Sequence, residues 1–252
     1  MSDATEHLGP FTVYELRRYT VTEGERGNFA AYFETFFPEA FQQLGALFLG
    51  QFFERATANR FTWLRGFRDL DQRAVVNAAF YYGPLWKEHR TSLNERLLDW
   101  KNVLLLRPLR PERAVTVMPA VDPVRESAGA TGVVVMQVFA VRAGETERLA
   151  EESETVFAAY RAAGAREAGV LVTLDVPNNF PQHPVREDGP FLVWLGVLPG
   201  APGDVARITE LATEQGESLR ASGLLREAPE LVLLDPTPRS RLRWLDAPSA
   251  AQ

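Results

Sequence analysis

VYELRRYTVTEGE (residues 13–25) begins as an alternating run and ends on Gly24 and Glu25. A strand sends successive side chains to opposite faces, whereas a helix groups every third and fourth residue on one. The stretch therefore reads as a β-strand that hands over to a helix at the glycine. VVMQVFAVRAGE (residues 134–145) has the same form, and its Gly144 and Glu145 follow Gly24 and Glu25 at an offset of 120 residues. Similarity at a fixed offset is the signature of a repeated unit, and it organises the rest of the chain.

Working outward, Phe29, Phe33, Phe36, Phe37, Phe41 and Leu44 recur at three- and four-residue steps after Gly24 and predict a helix with one wide apolar face. Leu149, Val156, Phe157 and Tyr160 do the same after Gly144, and each helix ends at a glycine suited to a left-handed cap, Gly45 or Gly164. Strand-like runs follow, ALFLGQFFER (46–55) and AGVLVTLDV (168–176), and then RFTWLRGF (60–67) and FLVWLGVL (191–198), with Trp63 opposite Trp194. Second helical segments come next: AVVNAAF (74–80) with PLWKEHRTSLNERLL (84–98) in one half, and DVARITELATEQGESL (204–219) in the other. WKNVLLLRPL (100–109) and PELVLLDP (229–236) close the two halves.

The order strand, helix, strand, strand, helix, strand, written twice, predicts an α+β chain of two tandem ferredoxin-like units. The first spans 11–110 and the second 132–238, joined by a Pro-, Gly- and Ser-rich linker at 111–131. Each unit is an antiparallel sheet with helices on one face and the other face bare. Turning the bare faces together gives a dimeric-α/β-barrel-type architecture within one chain.

A net charge of −6, with no dense Lys/Arg run, argues against a nucleic-acid partner. The absence of cysteine removes disulfides, thiolate metal sites and a thiol nucleophile, and suits a reducing cytoplasm. No apolar run approaches the roughly 20 residues of a membrane-spanning helix. MSDATEHLGP, which contains His7, has neither a signal-peptide core nor a transit helix. The three histidines show no metal-ligand spacing, and GxSxG, GxGxxG and P-loop motifs are missing, so no metal and no cofactor is expected.

Sorting the strands by parity groups Tyr14 and Leu16 against Glu15, Arg17 and Tyr19, Leu64 against Trp63, Arg65 and Phe67, and Val134, Met136 and Val138 against Gln137 and Phe139. The expectation is that the aliphatic set meets the helices while the aromatic and polar set lines a chamber between the sheets. Aromatic walls with a few convergent polar groups are the usual make-up of a small-molecule pocket. Glu15 and Arg17 are then candidates for an acid/base or anion-orienting pair, with Tyr19, Trp63, Arg65, Gln137 and Phe139 as ligand contacts. The competing reading makes Glu15 and Arg17 a surface ion pair and the aromatics plain packing. Trp86 and His89 lie three apart on a helix; the first is either core or a ligand contact, and the second reads as a solvated histidine.

NNFPQHPVREDGPFLVW (178–194) makes the second half about 11 residues longer than the first at this point. Its prolines stiffen the backbone and fix Arg186 and Glu187, either as a lip over the chamber or as a tie to a partner subunit, and of the three histidines His183, on the same stretch, has the best claim to a ligand contact. Together with YELRRYTVTEGE and WLRGFRDLDQRAVVNAAFYYGPLWKEH, this segment resembles the NIPSNAP family of dimeric α/β-barrel proteins, over roughly residues 11–235. The resemblance carries a Trp/Arg-rich strand, a D-x-x-x-R-A helix start at Arg73 and an Asn-x-Phe-Pro … Pro-Val-Arg-Glu pattern. Two features depart from it: RATANR at 55–60, and His183 where an aliphatic residue is usual. The resemblance implies the barrel fold, whose members include cofactor-free monooxygenases, isomerases, dehydratases and haem-binding proteins. Fold alone does not choose among these.

The expectation is a homo-oligomeric protein that binds a small apolar or aromatic metabolite between the sheets, with catalysis left open and a cofactor-free enzyme of monooxygenase or proton-transfer type as one reading of that site. The alternatives are a non-catalytic oligomerising scaffold and, through His89 or His183, a haem-binding tandem barrel.

Overall fold

The architecture is drawn from a computed structural model that describes residues 9–246, so His7 lies outside the described residues. The first half contains β1 (Val13–Val21), α1 (Arg26–Phe36), α2 (Pro38–Gln43), β2 (Leu47–Glu54), β3 (Arg60–Phe67), α3 (Leu70–Tyr81), α4 (Pro84–Asn94) and β4 (Leu97–Pro108). The second contains β5 (Val133–Ala140), α5 (Thr146–Ala162), β6 (Arg166–Thr173), β7 (Phe191–Leu198), α6 (Pro202–Ala221) and β8 (Glu230–Pro236). Gly45 and Gly164 hold φ of 101° and 97°, the left-handed backbone that ends each first helical segment. The expected continuous Phe-rich helix is broken at Pro38, which has no N–H to donate and starts a new helix instead.

The strands form one closed barrel in the order β1-β3-β2-β8-β5-β7-β6-β4, with β4 returning to β1. Every pairing is antiparallel. The halves meet at two short seams, Phe52–Glu54 on Leu234–Pro236 and Leu106–Pro108 on Leu171–Thr173. Closure leaves no long open sheet edge between the halves.

The barrel interior corrects the expected chamber. One buried cluster draws Leu16, Leu49, Leu64, Leu106, Met136, Leu171, Leu195 and Leu234 from the eight strands and no residue from any helix. An eight-stranded barrel is just wide enough for side chains to fill, and here the aliphatic set fills it. Val115 and Met118 from the linker and Leu242 from beyond β8 join the same cluster. The Leu242 N–H donates to the Leu49 carbonyl, so the chain packs on past residue 238.

Glu15, Arg17, Tyr19, Trp63 and Arg65 therefore point outward, under the helices, the reverse of the expected assignment. Strand alternation separates two faces but does not say which one the helices cover. A buried ionic set needs partners that converge on it. The helix layer supplies them, whereas a filled barrel interior does not.

Candidate functional site: an aromatic cavity beside a buried arginine cluster

Register places the central groups side by side: Glu15 on β1 is opposite Arg65 on β3, and Arg17 is opposite Trp63. Helix α3 lies over this face. Its start is fixed by Asp69, whose side chain accepts the Gln72 N–H. Arg73 and Asn77, four residues apart, share one side of the helix and reach down to the strands.

Glu15 is the hub, and like Arg17, Arg65 and Arg73 its side chain is fully buried. Its Oε2 accepts from Arg17 Nε at 2.8 Å and from Arg65 Nε and Nη2 at 2.8 and 2.6 Å. Its Oε1 accepts from Arg73 Nε at 2.6 Å and Asn77 Nδ2 at 3.4 Å. Arg65 Nη2 also donates to Asn77 Oδ1, and Arg17 Nη1 to the Tyr19 hydroxyl at 3.1 Å. Arg73 Nη1 reaches the long loop and donates to Asn179 Oδ1 at 2.6 Å and Asn178 Oδ1 at 3.1 Å.

Burial opposes ionisation of Glu15, but the guanidiniums of Arg17, Arg65 and Arg73 prevail and hold its carboxyl well below the usual range. Arg73 is lowered too, away from its charged form: burial lowers it, Glu15 supports it, and the like charges of Arg17 and Arg65 lower it further. Three guanidiniums face one carboxylate, so the cluster holds an excess of two positive charges. Arg17 Nη2, Arg65 Nη1 and Arg73 Nη2 are buried with no hydrogen-bond partner, as is the indole N–H of Trp63. Buried polar groups are nearly always paired, so four unpaired donors in one place need an explanation.

A cavity of about 270 Å³ lies against this cluster, between the outer face of β1 and β3 and helices α1 to α4. Tyr19, Trp63, Phe41, Tyr81, Trp86 and His183 are among its walls. The Arg65 guanidinium carbon stands 4.8 Å from the centre of the Phe41 ring and 5.0 Å from that of Trp63, and that of Arg17 is 5.4 Å from Trp63. The cavity thus has flat aromatic sides, and the guanidiniums of Arg17 and Arg65 lie behind its Trp63 and Phe41 walls.

Of the candidate residues, Tyr19, Trp63, Trp86 and His183 line this cavity, and Glu15, Arg17 and Arg65 stand behind its wall. Gln137 and Phe139 do not join them, because they occupy the matching place in the second half. There Val135, Gln137 and Gly196 stand where Glu15, Arg17 and Arg65 stand in the first half. Trp194 lies over Gly196, 2.2 Å from where a Cβ would be, and the Tyr160 hydroxyl donates to Gln137 Oε1. Phe157 stacks on Trp194 and approaches Phe139, so side chains take that space. Arg186 is also absent from the cavity wall; it pairs with Asp188 and lies over Phe191. His89 is not simply solvated: its Nδ1 meets the Tyr32 hydroxyl at 2.7 Å and its ring stacks on Phe36, off the cavity wall. Asn77 and Asn179 carry no signal in the sequence analysis, and Asn178 only its place in the Asn-x-Phe-Pro pattern. Arg73 was marked there only by the helix-start pattern.

Among the described residues no group of three or more His, Asp or Glu is placed to hold a metal ion, and no helix is long and apolar enough to cross a membrane. Residues 14–110 match the NIPSNAP family model. This half of the chain is similar to a NIPSNAP domain. The matched residues line the whole cavity except for His183, which the second half contributes. Comparison with curated proteins gives no match. Among solved structures, an anthrone oxidase-like protein superposes with a TM-score of 0.58 at 13% identity, covering 97% of this chain and 98% of its own. A protein of Lactobacillus acidophilus NCFM, provisionally assigned as a monooxygenase, gives 0.54 at 14% identity over 92% and 97%. A chlorite dismutase variant of Candidatus Nitrospira defluvii gives 0.52 at 11% over 94% and 96%. At these identities the likeness is one of fold, a mixed α/β barrel.

Proposed function

We propose that the NIPSNAP-domain cavity binds a small aromatic molecule through an anionic oxygen. The observation that carries this reading is the meeting of aromatic walls with three buried guanidiniums that one carboxylate only partly balances. Uncompensated buried charge is costly, and a bound anion offsets that cost while giving the unpaired Arg and Trp donors an acceptor. The volume lies just under the ~300–1,000 Å³ usual for ligand sites, which favours a one- or two-ring ligand.

Glu15 takes a structural part in this scheme. Its oxygens are occupied by arginine donors and it stays ionised, so it holds Arg17, Arg65 and Arg73 in place and does not carry protons. Arg17 and Arg65 are the anion-orienting groups. The same field favours an enolate or phenolate over its neutral parent, the charge that develops when a proton leaves carbon or oxygen next to a conjugated system. Cofactor-free oxygenation starts from such an anion, and the fold likeness to an anthrone oxidase-like protein is in keeping with it. We read each half as a ferredoxin-like unit of one fused pair, with the site kept in the first half and filled in the second.

Calorimetric titration with 2-naphthoate and its neutral isostere 2-naphthamide tests the reading. The acid is expected to bind at least tenfold tighter, and Arg17→Met to remove most of that difference. Equal affinities in the unaltered protein would contradict an anion site.

A further inference from the structure

His183 is the one candidate residue that the second half sends into the NIPSNAP-domain cavity, and it stands where the family resemblance has an aliphatic side chain. Its ring is held flat against Tyr81, with centroids 3.8 Å apart and planes at 29°, and against Phe180 at 5.6 Å and 14°. Its backbone is fixed as well: the N–H donates to the Phe180 carbonyl, and the carbonyl accepts from Asn178 Nδ2 at 2.8 Å. The ring lines the cavity, and its Nδ1 is buried with no partner. An imidazole set this firmly, with one nitrogen unsatisfied at a ligand-sized space, is more than a packing element.

We propose that His183 is a specificity-determining residue of this cavity, accepting the hydroxyl hydrogen of a hydroxyaromatic anion whose charged oxygen lies at the guanidinium end. The inference rests on the anion-site reading and narrows its ligand class to rings with an anionic oxygen at one end and a hydroxyl at the other. Charge favours the acceptor role. The charged groups that act on the ring are Arg17, Arg65, Arg73 and Glu15, a set with excess positive charge, and such a field prefers a lone pair to an N–H on the buried side. Burial, with Arg17 and Arg65 adding to it, pushes the imidazole down to about 3, so the ring is neutral and has a lone pair to offer. The unpaired guanidinium and indole atoms are all donors, so Nδ1 gives the site an acceptor. A site that hydrogen-bonds a ligand hydroxyl discriminates strongly against the analogue without it.

The test is calorimetric titration of 2-naphthoate and 6-hydroxy-2-naphthoate into the full chain, its His183→Leu variant, which restores an aliphatic side chain, and its His183→Gln variant, which keeps an acceptor. The hydroxylated acid is expected to bind the unaltered protein at least tenfold tighter, with that advantage lost in His183→Leu and partly kept in His183→Gln. Equal affinities in the unaltered protein, or an undiminished advantage in His183→Leu, overturn the role of His183 and leave the anion site standing as long as 2-naphthoate binds. Failure of both acids to bind overturns the anion site and this inference with it. Thermal melts accompany each titration. If the leucine variant does not fold, the unaltered protein's ratio and the glutamine variant decide the matter.

Discussion

Glu15 shows how much one buried side chain can hold. Removing one partner from a buried charge network typically costs about 3–5 kcal/mol, because the remaining charges are left unmatched. Glu15→Gln is expected to lower stability by that order in urea unfolding. The titrating groups set a pH window too. His183 has a folded-state pKa of about 3, below its usual 6.5, so between those values the unfolded chain takes up a proton that the folded chain refuses. Its contribution is complete above pH 6.5 and declines as pH falls towards 3. Glu15, lowered from 4.5, adds a second loss that begins only below that value. Melting temperature is therefore expected to fall between pH 7 and pH 4.5 in the unaltered protein and to fall less in His183→Leu. An equal fall in both would remove His183 from the account.

At the scale of elements, the long 178–194 segment is a strap whose fixings lie far along the chain. Its prolines stiffen it, and it carries His183 and Arg186. The residues that anchor it, Asn178 and Asn179, bind Arg73 more than 100 positions earlier, and Asn179 also donates to the Leu70 carbonyl. No local pattern signals such a contact, because asparagine in a loop reads first as a turn residue. Paired Asn178→Ala and Asn179→Ala substitutions are expected to speed hydrogen exchange across 178–185 and leave β5, β7 and β8 unchanged. They should cost about 1–3 kcal/mol for the buried Arg73 donors left without acceptors. Unchanged exchange in that segment would mean that packing of Phe180 and His183 on Tyr81 holds the strap by itself.

For the molecule as a whole, the repeat at 120 residues made the strand and helix order legible, and the glycine caps and Trp63–Trp194 correspondence fixed its phase. Alternation also grouped Glu15 with Arg17 and Leu16 with Tyr14 correctly. What it could not supply was the sign. Whether a face meets helices or the barrel axis depends on closure by the two short seams, a property of residues 52–54, 106–108, 171–173 and 234–236 acting together. The reversed sign moves the expected ligand space from the barrel axis to the helix side. Leu195→Ala, in the barrel core, is thus expected to cost about 2–5 kcal/mol and leave 2-naphthoate affinity unaltered. The most direct measurement is a crystal structure of the chain with 2-naphthoate. The account predicts the ring between Trp63 and Tyr81, with its carboxylate within hydrogen-bonding distance of Arg17 or Arg65. A ligand found inside the barrel, against Trp194 in the second half, or nowhere at saturating concentration would contradict it.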